Sequence, residues 1–395
     1  MTTKPSESVD NVPVHEIYLD NNATTQPLPE VVQAVTSAMI DGHGNPSSVH
    51  SAGARARRHL QQARRQVAAL LRSSPEEIVF TSGATEANNL VLQNLVGGAF
   101  DGFRLVTTAV EHASILAVAD HLRTRGVDVK ILPVDADGLV DSQEMLRAIV
   151  PGRTLVSIQW ANNETGVLQP ISELACMATE AGAIFHTDAV QAVGKAPIDM
   201  SEISVDLLSL SGHKVHGPHG VGAVVGRRVK ELRPQSFGGS QEGSLRPGTE
   251  NVAAIAGLGV ALEERHRRYG QVETHVRALR DVFESRLEDL NLVEGVNGGR
   301  VGRVPNASNV RFSNVDGEAL TIRLDRLGVR CSQSSACANQ RPEPSYVLRA
   351  MGLSEDQAYA SVRFGFSELN TMEDVEIAVR SIATVHARIV RFAVA

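Results

Sequence analysis

The sequence predicts an α/β fold: a large domain on a mostly parallel sheet, followed by a smaller α+β domain. Three observations carry this expectation. Apolar runs of strand length alternate with amphipathic runs of helix length between residues 77 and 225, and such alternation implies right-handed crossovers between parallel strands. Two of the apolar runs, Ala183-Ile-Phe and Asp206-Leu-Leu-Ser-Leu, lead straight into polar motifs, His186-Thr-Asp-Ala-Val-Gln191 and Ser211-Gly-His-Lys214. Both motifs then fall at one carboxyl edge of the sheet, where open α/β folds bind ligands. Finally, a Gly/Ser-rich, strand-poor stretch from Gln235 to Asn251 separates this regular alternation from shorter, mixed elements.

In chain order, the period-2 and buried-run patterns predict strands at Glu77 to Thr81, Arg104 to Thr108, Asp128 to Val134, Thr154 to Trp160, Ala183 to Thr187, Asp206 to Leu210 and Val221 to Val225. Helical spacing predicts helices at Pro29 to Ile40, Ala52 to Leu71, Thr85 to Leu95, Ser114 to Arg125, Ser142 to Ile149 and Ile171 to Ala181. Two further helical runs follow, near Val252 to Arg267 and Val272 to Leu290. Short elements come after them at Ser308 to Phe312, Gly317 to Leu327, Tyr346 to Met351 and Ser361 to Phe364. The expected organisation is a tail over residues 1–16, a large domain over 17–262 and a small domain over 263–395.

Composition narrows the class. The chain has 395 residues, 42% hydrophobic and 21% charged, which is globular. A net charge of −7 argues against a general nucleic-acid or anionic-membrane surface. Arg55, Arg57, Arg58, Arg64 and Arg65 are interleaved with apolar residues and read as one solvated helix face. The three cysteines, Cys176, Cys331 and Cys337, form no CxxC pair, so neither a disulfide framework nor a zinc site is expected. No segment approaches the roughly 20 apolar residues of a membrane span, and the first residues lack an apolar signal core. A cytoplasmic protein is expected.

The motifs suggest the chemistry. Lys214 and Asp188 stand 26 residues apart in sequence (214 − 188) at adjacent strand ends. A lysine suits a Schiff base to an aldehyde cofactor, and a carboxylate suits the protonated nitrogen of a pyridine ring; together they point to pyridoxal phosphate. No other lysine is expected beside the Asp188 strand end. Phe80-Thr-Ser-Gly-Ala-Thr-Glu86 runs from strand through glycine turn into helix, which offers free amides and a positive dipole end to a phosphate. A Walker motif is missing, and no GxGxxG stands between a strand and a helix.

Taken together with these, further motifs give the chain its resemblance to a known family. Tyr18-Leu-Asp-Asn-Asn-Ala-Thr-Thr25, Gly44-Asn-Pro-Ser-Ser-Val-His50, Glu111-His112, Asn162-Asn-Glu-Thr-Gly166, Arg246-Pro-Gly-Thr249 and Ser334-Ser-Ala-Cys337 spread over nearly the whole chain. The sequence resembles the cysteine desulfurases of the nitrogenase and iron–sulfur-cluster type. These lie within the class V aminotransferases, themselves fold-type I pyridoxal-phosphate enzymes.

That resemblance implies roles. Lys214 holds the cofactor and, once freed, moves the substrate Cα proton. Asp188 pairs with the pyridine nitrogen, Gln191 contacts the ring oxygen, and His112 stacks on the ring and assists proton transfer. Ala84, Thr85, Ser211 and His213 hold the phosphate, and Thr249 joins them from a neighbouring subunit, so a homodimer is implied. Asn163 and Arg363 receive the carboxylate of L-cysteine. Cys337 takes the sulfur as a persulfide and passes it to an acceptor protein. From the residues themselves, Cys337 sits among small, polar, proline-punctuated neighbours that read as an accessible loop, where a thiolate can attack. Cys176 falls in an apolar helical pattern and reads as buried and inert; Cys331, six residues before Cys337, reads as structural, with a resolving thiol as the alternative. Another class V activity, an aminotransferase or a selenocysteine lyase, is the alternative.

Overall fold

The computed structural model describes residues 16–333 and 343–393. After a short strand β1 (Ile17–Tyr18), two helices, α1 (Pro29–Asp41) and α2 (Ser51–Leu71), precede the alternating region. That region runs β2 (Ile78–Thr81), α3 (Ala84–Leu92), β3 (Arg104–Thr108), α4 (Ala113–Thr124), β4 (Val129–Leu132) and α5 (Ser142–Ala148). It continues with β5 (Thr154–Ser157), α6 (Ile171–Glu180), β6 (Ile184–Asp188), β7 (Leu207–Ser211) and β8 (Gly222–Val225).

The seven strands β2 to β8 form one sheet in the order β2-β8-β7-β6-β5-β3-β4. Pairings β4–β3, β3–β5, β5–β6 and β6–β7 are parallel, while β8 runs antiparallel to both its neighbours. The central strands β5, β6 and β7 are buried along their whole length. Val156, Phe185, Leu208 and Leu210 turn to one face and Leu155, Ile184 and Leu207 to the other, which suits a sheet covered by helices on both faces. One face packs on α2, α6 and the start of the next helix, the other on α3 and α4.

That next helix, α7 (Val252–Asp289), corrects the sequence reading. It is one uninterrupted helix of 38 residues where two were expected, so the expected boundary at 262/263 falls inside it. Its first half, through Leu258 and Leu262, packs in the core of the large sheet. Its second half, Val272 to Leu287, packs in another core. Helix α7 is thus a shared beam between two cores, and its polar middle is what read as a break.

The second core lies against a three-stranded sheet, β9 (Val293–Val296), β10 (Ala307–Phe312) and a last strand at Ser361–Gly365, in the order last-β10-β9 and antiparallel throughout. Between β10 and that last strand come α8 (Gly317–Asp325), β11 (Val329–Arg330), α9 (Tyr346–Ala350) and α10 (Glu355–Tyr359), so the last strand is β12. Helix α11 (Met372–Ala393) closes the fold. Phe283 anchors this core, its ring 4.8 Å from that of Phe364 and 5.3 Å from that of Phe366, contacts that add to the burial of three large rings. Strand β1 pairs with β11, and Ile17 and Leu19 join this second core. Residues 17–19, assigned by sequence to the large domain, therefore cross to the other core. No helix among the described residues is long and apolar enough to cross a membrane.

Candidate active site

Strands β6 and β7 end side by side, and their last residues open onto a cleft of about 1240 Å3. Asp188 ends β6; Ser211 ends β7, and a tight turn then carries Lys214 into the cleft. Ala84, Thr85, His112, Asn163, Gln191, His213 and Arg363 also line it. The structure thus gathers in one cleft every described candidate except Thr249, which is exposed on the surface and does not line it. Cys337 lies outside the described residues.

One end of the cleft is the N-terminus of α3, whose first amides have no partner within the helix. Gly83 caps that helix with φ +155°, a conformation a side-chain-bearing residue rarely adopts. A Cβ on Gly222 would stand 2.7 Å from the Gly83 Cα, so two glycines let β8 and this turn meet. Opposite them, the rings of His213 and His219 stack with centroids 5.3 Å apart. Thr24 Oγ1 bridges the pair, 3.2 Å from His213 Nδ1 and 2.9 Å from His219 Nε2. Burial, with the nearby Lys214 charge, pulls His213 down to about 4, so it is a neutral ring at pH 7.

On the cleft floor, Lys214 Nζ donates to the carbonyls of Asn22 and Ala23, each at 2.7 Å. Burial and the Arg363 charge lower its pKa to about 8, with Asp20 and Asp188 opposing. A second lysine stands close by, which the sequence reading did not expect. Lys195 is buried and donates from Nζ to Gln191 Oε1 at 2.6 Å. Burial and then repulsion from Lys214, Arg265 and Arg363 hold it well below the usual lysine range. It does not line the cleft, whereas its partner Gln191 does. Gln191 in turn donates to the Asn22 carbonyl at 2.9 Å. The i,i+4 spacing of Gln191 and Lys195 was the only sign of this in the sequence.

Asp188 is oriented by two donors, Asn88 Nδ2 at 2.8 Å and the Val190 amide at 3.0 Å. His112 caps α4, accepting at Nδ1 from the Ser114 amide at 3.1 Å. Burial lowers the pKa of its ring, Lys214 adds to that, and Asp188 opposes. Beneath it, Glu111 is fully buried and pushed up to about 8 by that burial, against hydrogen bonds from Thr108 and Gln159.

At the other end Arg363, buried in β12, donates from Nη1 to the Asn163 carbonyl at 3.1 Å and from Nη2 to Asp20 Oδ1 at 2.8 Å. Its Nε and the Oδ1 of Asn163 are buried without partners. Buried polar atoms are rarely left so, and this pair suits a carboxylate and an amine from a ligand.

The chain leaves and re-enters the described region beside this end. Ser332 exchanges backbone hydrogen bonds with Arg363 at 2.7 and 3.2 Å, and its hydroxyl donates to Asp20 Oδ2 at 2.7 Å. On the return, Ser345 donates to Glu164 and Tyr346 to the Glu111 carbonyl at 2.6 Å. Glu164 and Glu111 directly follow or precede the cleft residues Asn163 and His112. The remaining cysteines differ from each other. Cys331 packs against the second core, and burial raises its thiol far above the usual range. Cys176 is exposed, not buried as expected. The neighbouring Glu180 raises its pKa, so it is held as a thiol. The buried stripe of α6 is Ile171, Leu174, Ala175 and Ala178, and Cys176 lies off it.

With this geometry in place, the class can be stated. The chain belongs to the class-V aminotransferase family, whose model matches residues 17–377, and its architecture is that of fold-type I pyridoxal-phosphate enzymes. More particularly, it is 44% identical over 365 residues to a cysteine desulfurase of Gluconacetobacter diazotrophicus, covering 92% of this chain and 91% of that one. Among solved structures it is similar to a NifS-like protein, with TM-score 0.87, 34% identity and coverage of 94% of this chain and 100% of the other. It is also similar to SspA in complex with cysteine, with TM-score 0.79 and 35% identity over 90% of this chain and 99% of that one.

Proposed function

We propose that this chain is a pyridoxal-phosphate-dependent cysteine desulfurase, which converts L-cysteine to L-alanine and passes the sulfur through Cys337 to an acceptor protein. The observation that carries this reading is the single cleft holding Lys214, Asp188, His112, Gln191, Asn163 and Arg363, in a chain this similar to curated desulfurases.

The donor set suits the cofactor. The amides at Ala84 and Thr85 with the Ser211 hydroxyl and His213 ring form a cradle for a phosphate, and Thr249 of a second copy completes it. Asp188, already oriented by two donors, receives a pyridine N–H. Gln191 offers its amide to the ring oxygen, and His112 covers the ring face. Bound there, pyridoxal phosphate supplies an electron sink for charge developing on the substrate carbons. Lys214 would hold the cofactor at its aldehyde carbon, and its free Nζ would move the proton at the substrate Cα. Arg363 and Asn163 orient the substrate carboxylate. The Cys337 thiolate then attacks the substrate sulfur: an S–S bond forms, the Cβ–S bond breaks, and the electron pair stays with carbon, which is protonated and leaves as L-alanine. Incubation of the loaded protein with L-cysteine should give alanine and a chain heavier by one sulfur at Cys337. A keto acid without alanine would make it an aminotransferase instead.

Arg363→Ala should raise KM for cysteine strongly while cofactor absorbance persists. Losing a charge-assisted, two-pronged contact costs about 2–4 kcal/mol, or roughly 30- to 1000-fold. Arg363→Lys should recover only part of this, since an ammonium lacks the planar fork. An unchanged kcat/KM would place substrate recognition elsewhere.

The assembly we propose is a homodimer with two shared sites. Phe237, in the Gly/Ser-rich stretch before Thr249, is 91% exposed, and Met39 and Ile40 on α1 are exposed as well, apolar surface of the kind an isologous contact covers. Sedimentation should give a dimer at assay concentrations, and Thr249→Ala should weaken cofactor binding. A fully active monomer would overturn this.

A further inference from the structure

A hydrogen-bond relay runs along one wall of the cleft. Asn88, buried on α3, donates from Nδ2 both to Asp188 Oδ2 at 2.8 Å and to Ser114 Oγ at 2.9 Å. Ser114 Oγ stands 2.8 Å from His112 Nδ1, and the Ser114 amide donates to the same nitrogen at 3.1 Å. Chemistry fixes the direction of each link. A carboxylate only accepts and an amide nitrogen only donates, so Asn88 cannot be turned round without setting its oxygen against Asp188. Ser114 Oγ therefore accepts from Asn88, and its own proton goes to His112 Nδ1. The backbone amide reaches that nitrogen too. With two donors aimed at it, Nδ1 has no room for a proton of its own, and protonating it would break the cap of α4.

Resting on the desulfurase reading, we propose that Asn88 and Ser114 are positioning residues that hold His112 as a neutral imidazole with its proton on Nε2. His112 then serves the reaction as a hydrogen-bond donor, and the proton taken from the substrate Cα goes to Lys214 Nζ. Removing the Nε2 proton would leave an imidazolate, and the Nδ1 site is closed, so the ring has no free basic nitrogen. Two charged groups face it, Asp188 and Lys214; burial together with Lys214 outweighs Asp188 and favours the neutral ring. Because one amide, that of Asn88, serves both Asp188 and Ser114, the ring-nitrogen partner and the ring-face histidine are set by a single residue.

Nuclear magnetic resonance of 15N-histidine-labelled full chain, with and without pyridoxal phosphate, tests this. The His112 signals are those absent from His112→Gln. The expected result is a protonated Nε2, an unprotonated Nδ1, and no titration near the ordinary histidine value of about 6.5. Ser114→Ala removes one donor, worth about one neutral hydrogen bond, and should raise the His112 pKa by roughly half to one unit; Ser114→Thr should restore it. Exchange of the substrate Cα proton in heavy water should persist in His112→Gln within roughly tenfold of the parent, one hydrogen bond's loss, and vanish in Lys214→Ala. A proton on Nδ1 in the parent, a Ser114→Ala variant that titrates like the parent, or exchange abolished in His112→Gln would each overturn the proposal. The resonance result does not depend on turnover, so failure to form alanine would sink the desulfurase reading and leave the relay standing.

Discussion

Lys214→Ala should lose the visible absorption of lysine-bound cofactor and at least about a thousandfold in alanine formation, because in the proposed reading one side chain both anchors the cofactor and carries the proton, and acid–base transfer alone contributes roughly 10²–10⁴. Among the described residues, Lys195 is the neighbour able to blunt this. Burial and the neighbouring cations lower its pKa well below the usual lysine range, which favours the uncharged, nucleophilic amine. Its Nζ, however, is bonded to Gln191, and it does not line the cleft. A visible band in Lys214→Ala that disappears in Lys214→Ala/Lys195→Met would show that Lys195 can take over. The same lysine sets a pH dependence. With its pKa lowered to about 8, Nζ accepts a proton only in its neutral form, so kcat should fall as pH drops through about 8. Arg363 is among the causes of that lowering. Arg363→Ala should therefore move the limb to higher pH, and an unmoved midpoint would separate the two groups.

How much of this could be read in the sequence follows from where each signal resides. The strands β5, β6 and β7 are buried on both faces, so their apolar runs stand out, and the polar residues that end them mark the cleft floor. Asp188, Ser211 and Lys214 were legible for that reason. Arg363 and Asn163 were legible only through family resemblance, since nothing local distinguishes a buried arginine in β12 from a surface one. Helix α7 was misread because one helix serves two cores: its polar middle, where Arg268 pairs with Glu368, reads as a break in periodicity. Asn88 carried no local signal at all. On α3 it reads as an ordinary polar helix residue, and its partner Asp188 lies 100 residues away in sequence. Lys195 escaped for a related reason, because burial by tertiary contacts, not spacing, separates it from the solvated lysine that composition would suggest. The sequence discloses what secondary structure positions; it conceals what only the closed fold brings together.

Cys337→Ser separates cofactor chemistry from sulfur chemistry more sharply than any change in the cleft. Cofactor absorbance should remain, since Lys214, Asp188 and the phosphate cradle are untouched. Cysteine should still bind and perturb that absorbance, since Arg363 and Asn163 are intact. Sulfide and alanine, however, should fall to background. The reason lies in the nucleophile: a thiolate attacks sulfur readily once deprotonated, whereas a serine hydroxyl at neutral pH is almost wholly protonated and forms no persulfide. No other thiol can stand in. Cys331 is packed against the second core with its thiol raised by burial, and Cys176 sits on α6 on the surface, away from the residues that line the cleft. The hydrogen bonds of Ser332 to Arg363 and of Tyr346 to the Glu111 carbonyl hold the described residues on either side of the Cys337 segment against Arg363, which lines the cleft, and Glu111, which precedes the cleft residue His112. The measurement is a paired one, alanine by amino-acid analysis and persulfide by mass. If Cys337→Ser released alanine from cysteine at the parental rate, sulfur would be leaving without a protein thiol, and a lyase route would replace the persulfide one.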